Sequence, residues 1–230
     1  MSSDSHAPIL ESLPFKSRPL GDEWLTIPNA DGLQLTVGDG FLNYRVQGLQ
    51  KENQWTWVQV AKGYQFDVGL LVAFQLRANQ IEGEEVKFTI GPYLTGKEGR
   101  VILRFTENGQ QANYVYSDNG FQPLGKSAIR ADGQWHRVVY LMGPPSNNKG
   151  LIDSQNPPFF KLWEDEEEVF TWGPGHNDHG YLSGNYLADW VQPCFSMQVL
   201  SIGASASMDL SDVLIVQNTR DIYPWLEGTY

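Results

Sequence analysis

The sequence predicts an all-β protein in which two antiparallel sheets pack face to face as a sandwich, and three observations predict it. Apolar residues recur with a period of two, most clearly over residues 66–77, where Val68, Leu70, Val72, Phe74 and Leu76 share one face. Asp67, Gly69, Leu71, Ala73, Gln75 and Arg77 share the other. No long run places apolar residues at helical spacing, so no helix of substantial length is expected. Finally, 23 glycines and 13 prolines in 230 residues supply the frequent turns that ten or more strands require. A chain of this length suits one large sandwich, so residues 21–230 are expected to form a single domain behind a flexible N-terminal arm at 1–20.

The arm carries Ile9, Leu10 and Phe15, which could tuck against the domain. Residues 24–37 then supply Trp24, Ile27, Leu33, Leu35 and Val37, and Asp39-Gly40 reads as a hairpin corner before Phe41 to Val46. In the next strand Trp55, Trp57 and Gln59 alternate with Thr56, Val58 and Val60, so two indoles project from one side. Further strands are expected at 86–90, 101–106 and 112–116, with turns at 79–85, 96–99, 108–110 and 117–120. Asp132-Gly133-Gln134 is a polar corner leading into Trp135-His136-Arg137-Val138-Val139-Tyr140-Leu141-Met142. Neither face of that run is truly polar, which places it centrally in a sheet. A hairpin follows from Phe159 to Trp163 and from Glu168 to Trp172. The five acids from Glu164 to Glu168 read as a solvated turn, because adjacent carboxylates repel and are costly to bury together. The last strands are expected at 195–200 and 208–216.

Composition narrows the function. The formal net charge of -11 argues against nucleic acid or an anionic membrane surface as a partner. It also weighs against a strongly anionic glycan unless the acids sit away from the groove. Cys194 is the only cysteine, which excludes an internal disulfide and a cysteine zinc cluster. The first residues show neither a basic region nor an apolar run, and no stretch reaches transmembrane length. The default expectation is cytoplasmic, or secreted if a leader has been removed. Oligomeric state is not legible.

The segment from Asp132 to Val138, the strand Phe160-Lys161-Leu162-Trp163 with Glu167-Glu168-Val169-Phe170 after it, and the closing run from Met208 to Val216 together resemble the concanavalin A-like and laminin-G-like jelly-roll superfamily. That resemblance implies a jelly-roll sandwich with a long irregular loop region and an oligo- or polysaccharide as partner. The expected function is lectin-like glycan recognition by aromatic stacking.

The residues on offer suit that chemistry. Sugar recognition needs a flat apolar surface against the pyranose C–H face, with donors and acceptors for the hydroxyls. The loop from 172 to 190 supplies Trp172, Tyr181, Tyr186 and Trp190 beside His176, Asp178, His179, Asn185 and Asp189. Trp55 and Trp57 form a competing surface. A polysaccharide-degrading enzyme is the alternative, β-elimination ahead of hydrolysis, with Arg104, His136 and Tyr140 as the candidate catalytic group. Hydrolysis is disfavoured because the acidic run crowds its carboxylates instead of opposing two across a groove. A structural domain without a sugar ligand is the third class. His176 and His179 flank Asp178 without an evident third ligand, so no metal set is named. A structural calcium is the cofactor that oxygen ligands such as Asp31, Asp39 and Asp209 could serve, and the sequence does not choose among them.

Overall fold

A computed structural model describes residues 9–13, 15, 21–27, 32–65, 70–83, 86–93, 101–105, 111–117, 120–125, 127–142, 160–172 and 190–217. Within them sixteen strands, numbered along the chain, form two eight-stranded sheets whose pairings are all antiparallel. The first sheet runs β14 (Glu167–Trp172), β13 (Phe160–Glu164), β12 (Trp135–Met142), β7 (Leu70–Glu82), β16 (Ser205–Gln217), β4 (Phe41–Val46), β3 (Leu33–Gly38). Its eighth strand, β1 (Ile9–Leu13), pairs with the last third of β16 beyond the reach of β4. The second sheet runs β11 (Gly120–Gly125), β10 (Gln111–Ser117), β9 (Val101–Phe105), β8 (Val86–Tyr93), β15 (Trp190–Val199), β5 (Gln54–Val60), β2 (Trp24–Ile27), with β6 (Tyr64–Gln65) on the start of β15. In the middle of both sheets strands distant in sequence are neighbours (β12, β7, β16 and β4 in one, β8, β15 and β5 in the other), the wiring of a jelly roll.

The period of two explains the core. Leu70, Val72, Phe74 and Leu76 of β7 point inward, as do Val86, Phe88 and Ile90 of β8 and Phe195, Met197 and Val199 of β15, and all are buried. Phe74 meets Phe195 edge-on with centroids 5.0 Å apart. Tyr44 of β4 crosses the core to donate its hydroxyl to the Phe195 carbonyl at 3.1 Å, so one hydrogen bond ties the two sheets.

Several details depart from expectation. β7 continues to Glu82, so the chain reverses later than residue 79. It does so through Gly83, whose φ of +114° and proximity to Ala204 leave no room for a side chain. The hairpin turn between β13 and β14 is only Asp165-Glu166, both with positive φ, as a type I′ turn demands. Glu164 therefore belongs to a strand, and it is buried rather than solvated. Its carboxylate accepts from Ser127 Oγ at 2.7 and 2.8 Å and from the Ala128 N–H at 2.7 Å. In the N-terminal segment, Ile9–Leu13 adds a strand, and buried Phe15 stacks on Trp24 at 4.7 Å.

Candidate functional site

The two longest strands, β7 and β16, lie side by side in the middle of the first sheet. Leu76, Leu210 and Leu42 pair in register and are buried, so their alternating neighbours Arg77, Asp209 and Asn43 fall on the sheet's outer face. Five adjacent strands there carry the row Trp135, Arg77, Asp209, Asn43, Thr36. The next row is Arg137, Gln75, Ser211, Phe41, Gly38.

Asp209 anchors the first row. Its side chain is 2% exposed. Both carboxylate oxygens are engaged, Oδ1 by Asn43 Nδ2 at 2.5 Å and Oδ2 by Arg77 Nε at 2.8 Å, Arg77 Nη2 at 2.5 Å and Asn79 Nδ2 at 2.7 Å. A carboxylate this far from water is tolerated only with such compensation. A β-bulge supplies one of these donors. Gln80 pairs with Ser207 and Ala78 with Met208, so Asn79 is the extra residue on β7 and its amide turns onto Asp209.

Asp209 in turn fixes Arg77. The guanidinium carbon lies 4.4 Å from the Trp135 ring centroid and 5.5 Å from that of Phe41, and the two rings meet edge-on at 6.2 Å. Trp135 reaches this position because the preceding corner is docked: Gly133 N donates to the Ala78 carbonyl at 3.0 Å, and Gln134 N donates to Asp132 Oδ1 at 2.9 Å. The outcome is a large aromatic ring, 36% exposed, beside exposed amide and guanidinium groups.

The residues expected to be catalytic are not brought into one groove. Arg104 lies in β9 of the second sheet, opposite Lys87 and Ala112, whereas His136 and Tyr140 lie in β12 of the first. Tyr140 faces the interior and is fully buried, and that burial pushes its phenol well above the usual range. This corrects the expectation that it meets a substrate: the inward phase of β12 that buries Val138 also buries Tyr140. His136 shares that phase at the sheet's end. Its Nδ1 donates to Asp165 Oδ2 at 2.7 Å, and its buried Nε2 has no partner among the described residues. The Arg137 N–H reaches Asp165 Oδ1 and the Asp165 N–H reaches the Arg137 carbonyl, both at 2.9 Å. This histidine helps clamp the β13–β14 turn onto β12.

Trp55 and Trp57 lie on the outer face of the second sheet, in register with Gln198 and Ser196. Trp55 is 38% exposed but Trp57 only 9%, so the expected pair presents one indole and not two. Trp172 ends β14 and Trp190 begins β15. His176, Asp178, His179, Tyr181, Asn185, Tyr186 and Asp189 lie outside the described residues, as does Asp31. Asp39 occupies an exposed positive-φ turn. With Arg77, Asn79 and Asn43 on its oxygens, Asp209 is an anchor for donors and not a calcium ligand.

No family model and no curated protein matches the chain by sequence. Solved structures do match in shape. The chain is similar to SCLam, a non-specific endo-β-1,3(4)-glucanase from family GH16, with a TM-score of 0.60 at 11% identity over 92% of this chain and 91% of that one. It is similar to a β-1,3-glucanase from Mycobacterium marinum, with a TM-score of 0.57 at 14% identity, covering 90% and 97%. It is similar also to the carbohydrate recognition domain of Emp47p, with a TM-score of 0.55 at 11% identity, covering 90% and 94%. The chain thus has the concanavalin A-like jelly-roll fold, a shape it shares with these two glucanases and this carbohydrate recognition domain.

Proposed function

We propose that this chain is a lectin-like module that binds an oligo- or polysaccharide on the outer face of its first sheet. The observation that carries the reading is Trp135: a partly exposed indole held by the Arg77 guanidinium, with Asn79 and Arg137 diagonal and alternate to it on the same face. A ring already fixed in place loses little conformational freedom on binding, and neighbouring amides supply donors and acceptors for sugar hydroxyls. The segment from Trp172 through His176, Asp178, His179, Tyr181, Asn185, Tyr186 and Asp189 to Trp190 leaves β14, at the edge of this same sheet, and is proposed to add further contacts. The likeness to a carbohydrate recognition domain supports binding, and the likeness to glucanases keeps cleavage as the rival. Against β-elimination by Arg104, His136 and Tyr140 stand their division between two sheets and the burial of Tyr140.

Affinity electrophoresis through gels containing a panel of polysaccharides tests the reading, with Trp135→Ala and Trp55→Ala compared against the parent. Retention on one polymer is expected, weakened about 5- to 30-fold by Trp135→Ala, the range of a binding hot spot worth about 1–2 kcal/mol. Trp55→Ala should retain binding. A folded Trp135→Ala protein with unchanged retention overturns the proposed surface.

A further inference from the structure

We infer that the glycan bound on this face carries a negatively charged substituent, a carboxylate or a sulfate ester, held between Arg77 and Arg137. The inference rests on the reading above and adds the chemical class of the ligand. The chain has a formal net charge of -11, yet the Trp135 and Arg137 rows of this face carry two arginines, Arg77 and Arg137, against one carboxylate, Asp209. The oxygens of Asp209 are already engaged, and a further carboxylate beside Arg137, that of Asp165 in the β13–β14 turn, is taken up by the Arg137 N–H and His136 Nδ1. Two of Arg77's five N–H groups go to Asp209, and no other acceptor for this side chain is present among the described residues. Because the guanidinium is pinned by Asp209 and stacked on Trp135, its remaining N–H groups are held rather than searching for a partner.

Arg137 stands one row along on the adjacent strand, opposite Gln75, and is exposed. Diagonal neighbours on a sheet have Cβ atoms about 7–8 Å apart, a gap that two arginine side chains close around one oxyanion. Its backbone is bonded to Asp165, so the strand is fixed while the guanidinium remains available among the described residues. Trp135 lies directly beside Arg77 in the first row, so a sugar ring stacked on the indole would bring its substituent to both arginines. In an acidic chain, a local cluster of cations also favours this site over the rest of the surface for a polyanion.

The test pairs each charged polymer with its own neutralised form: pectate with carboxyl-reduced pectate, and a sulfated galactan with the same galactan after desulfation. Retention of the parent protein, Arg137→Gln and Trp135→Ala is measured on all four. Arg137→Gln is chosen because the described residues show no side-chain partner for Arg137, so its loss leaves the fold intact. The expected result is retention on a charged polymer that falls about tenfold or more on neutralisation and declines as salt is raised. Arg137→Gln should lower retention on the charged polymer several-fold more than on the neutral one. Which pair responds distinguishes carboxylate from sulfate. Equal retention on charged and neutral forms, still lost in Trp135→Ala, overturns this inference and leaves the glycan reading standing. Unchanged binding by Arg137→Gln likewise overturns it. No retention of the parent protein on any of the four, nor on the wider panel, overturns both.

Discussion

Replacing Asp209 with alanine tests whether the outer row is held as described. The substitution removes the acceptor shared by Arg77, Asn79 and Asn43, and leaves a guanidinium without its counter-ion. Removing one partner of a buried pair costs about 3–5 kcal/mol, because the other charge is stranded. Arg77 is 26% exposed and can regain some water, and Asn43 keeps weaker contacts to Ser207 Oγ at 3.2 Å and the Met208 carbonyl at 3.4 Å. Both facts point to the lower end, about 3 kcal/mol. For a domain of this size, each kcal/mol moves the melting temperature by about 2–4 °C, so a fall of about 6–12 °C is expected. Urea unfolding followed by tryptophan fluorescence and circular dichroism gives the free energy directly. A cycle with Arg77→Gln should show a coupling of about 2 kcal/mol between the two residues, since they share one interaction. A loss below about 1 kcal/mol for Asp209→Ala, or additive single variants, would refute the account of Asp209 as the anchor.

Alkaline titration probes the core. Burial raises the phenols of Tyr44, Tyr64 and Tyr140, and Tyr64 is raised further by its hydrogen bond to Glu11. Groups whose folded values lie above the ordinary value near 10 add stability that is complete below that pH. It is lost as pH rises beyond, where the unfolded chain releases protons first. Near-ultraviolet phenolate absorbance should therefore show these three of the ten tyrosines ionising only together with alkaline unfolding; all ten titrating with the fold intact would contradict it. Glu164→Ala should cost about 2–3 kcal/mol by leaving Ser127 Oγ and the Ala128 N–H without their acceptor, whereas an effect within about 0.5 kcal/mol would mark Glu164 as an ordinary surface acid.

The fold was legible because its signal is local. Val72, Phe74 and Leu76 announce an inward face within one stretch of chain, and the same period recurs in β8, β12 and β15. Where local patterning misled, a single backbone feature was responsible. Sequence groups Glu164 with four other acids in a solvated turn, yet a two-residue turn with positive φ at Asp165 and Glu166 keeps it in the strand and carries it inside. Nothing in an acidic run signals that a serine 37 residues earlier will meet one of its members. Tyr140 shows the converse: alternation with Val138 already placed it on an inward face, and the hydroxyl's chemical promise outweighed that pattern.

The outer row escaped sequence reading for a different reason, which lies in how sheets encode sites. Arg77 and Asp209 are 132 residues apart and Asn43 and Asp209 are 166 apart, so their meeting depends on register across strands and not on spacing within one. Each looks ordinary alone: Arg77 closes an apolar alternation, and Asp209 is one of many acids. A signal was nevertheless present. Leu210 and Met208 flank Asp209, and Leu76 and Ala78 flank Arg77, so both charges sit on strands whose alternate residues are committed to the core. Central strands of opposite charge at equivalent depth are candidates to face one another, and the compensation a buried carboxylate requires makes that pairing close to obligatory once the strands are adjacent. Net charge hid the same site from the other direction. A sum of -11 describes the whole surface, whereas a ligand meets the few side chains that one register brings together, and here that register sets Arg77 and Arg137 diagonally beside each other.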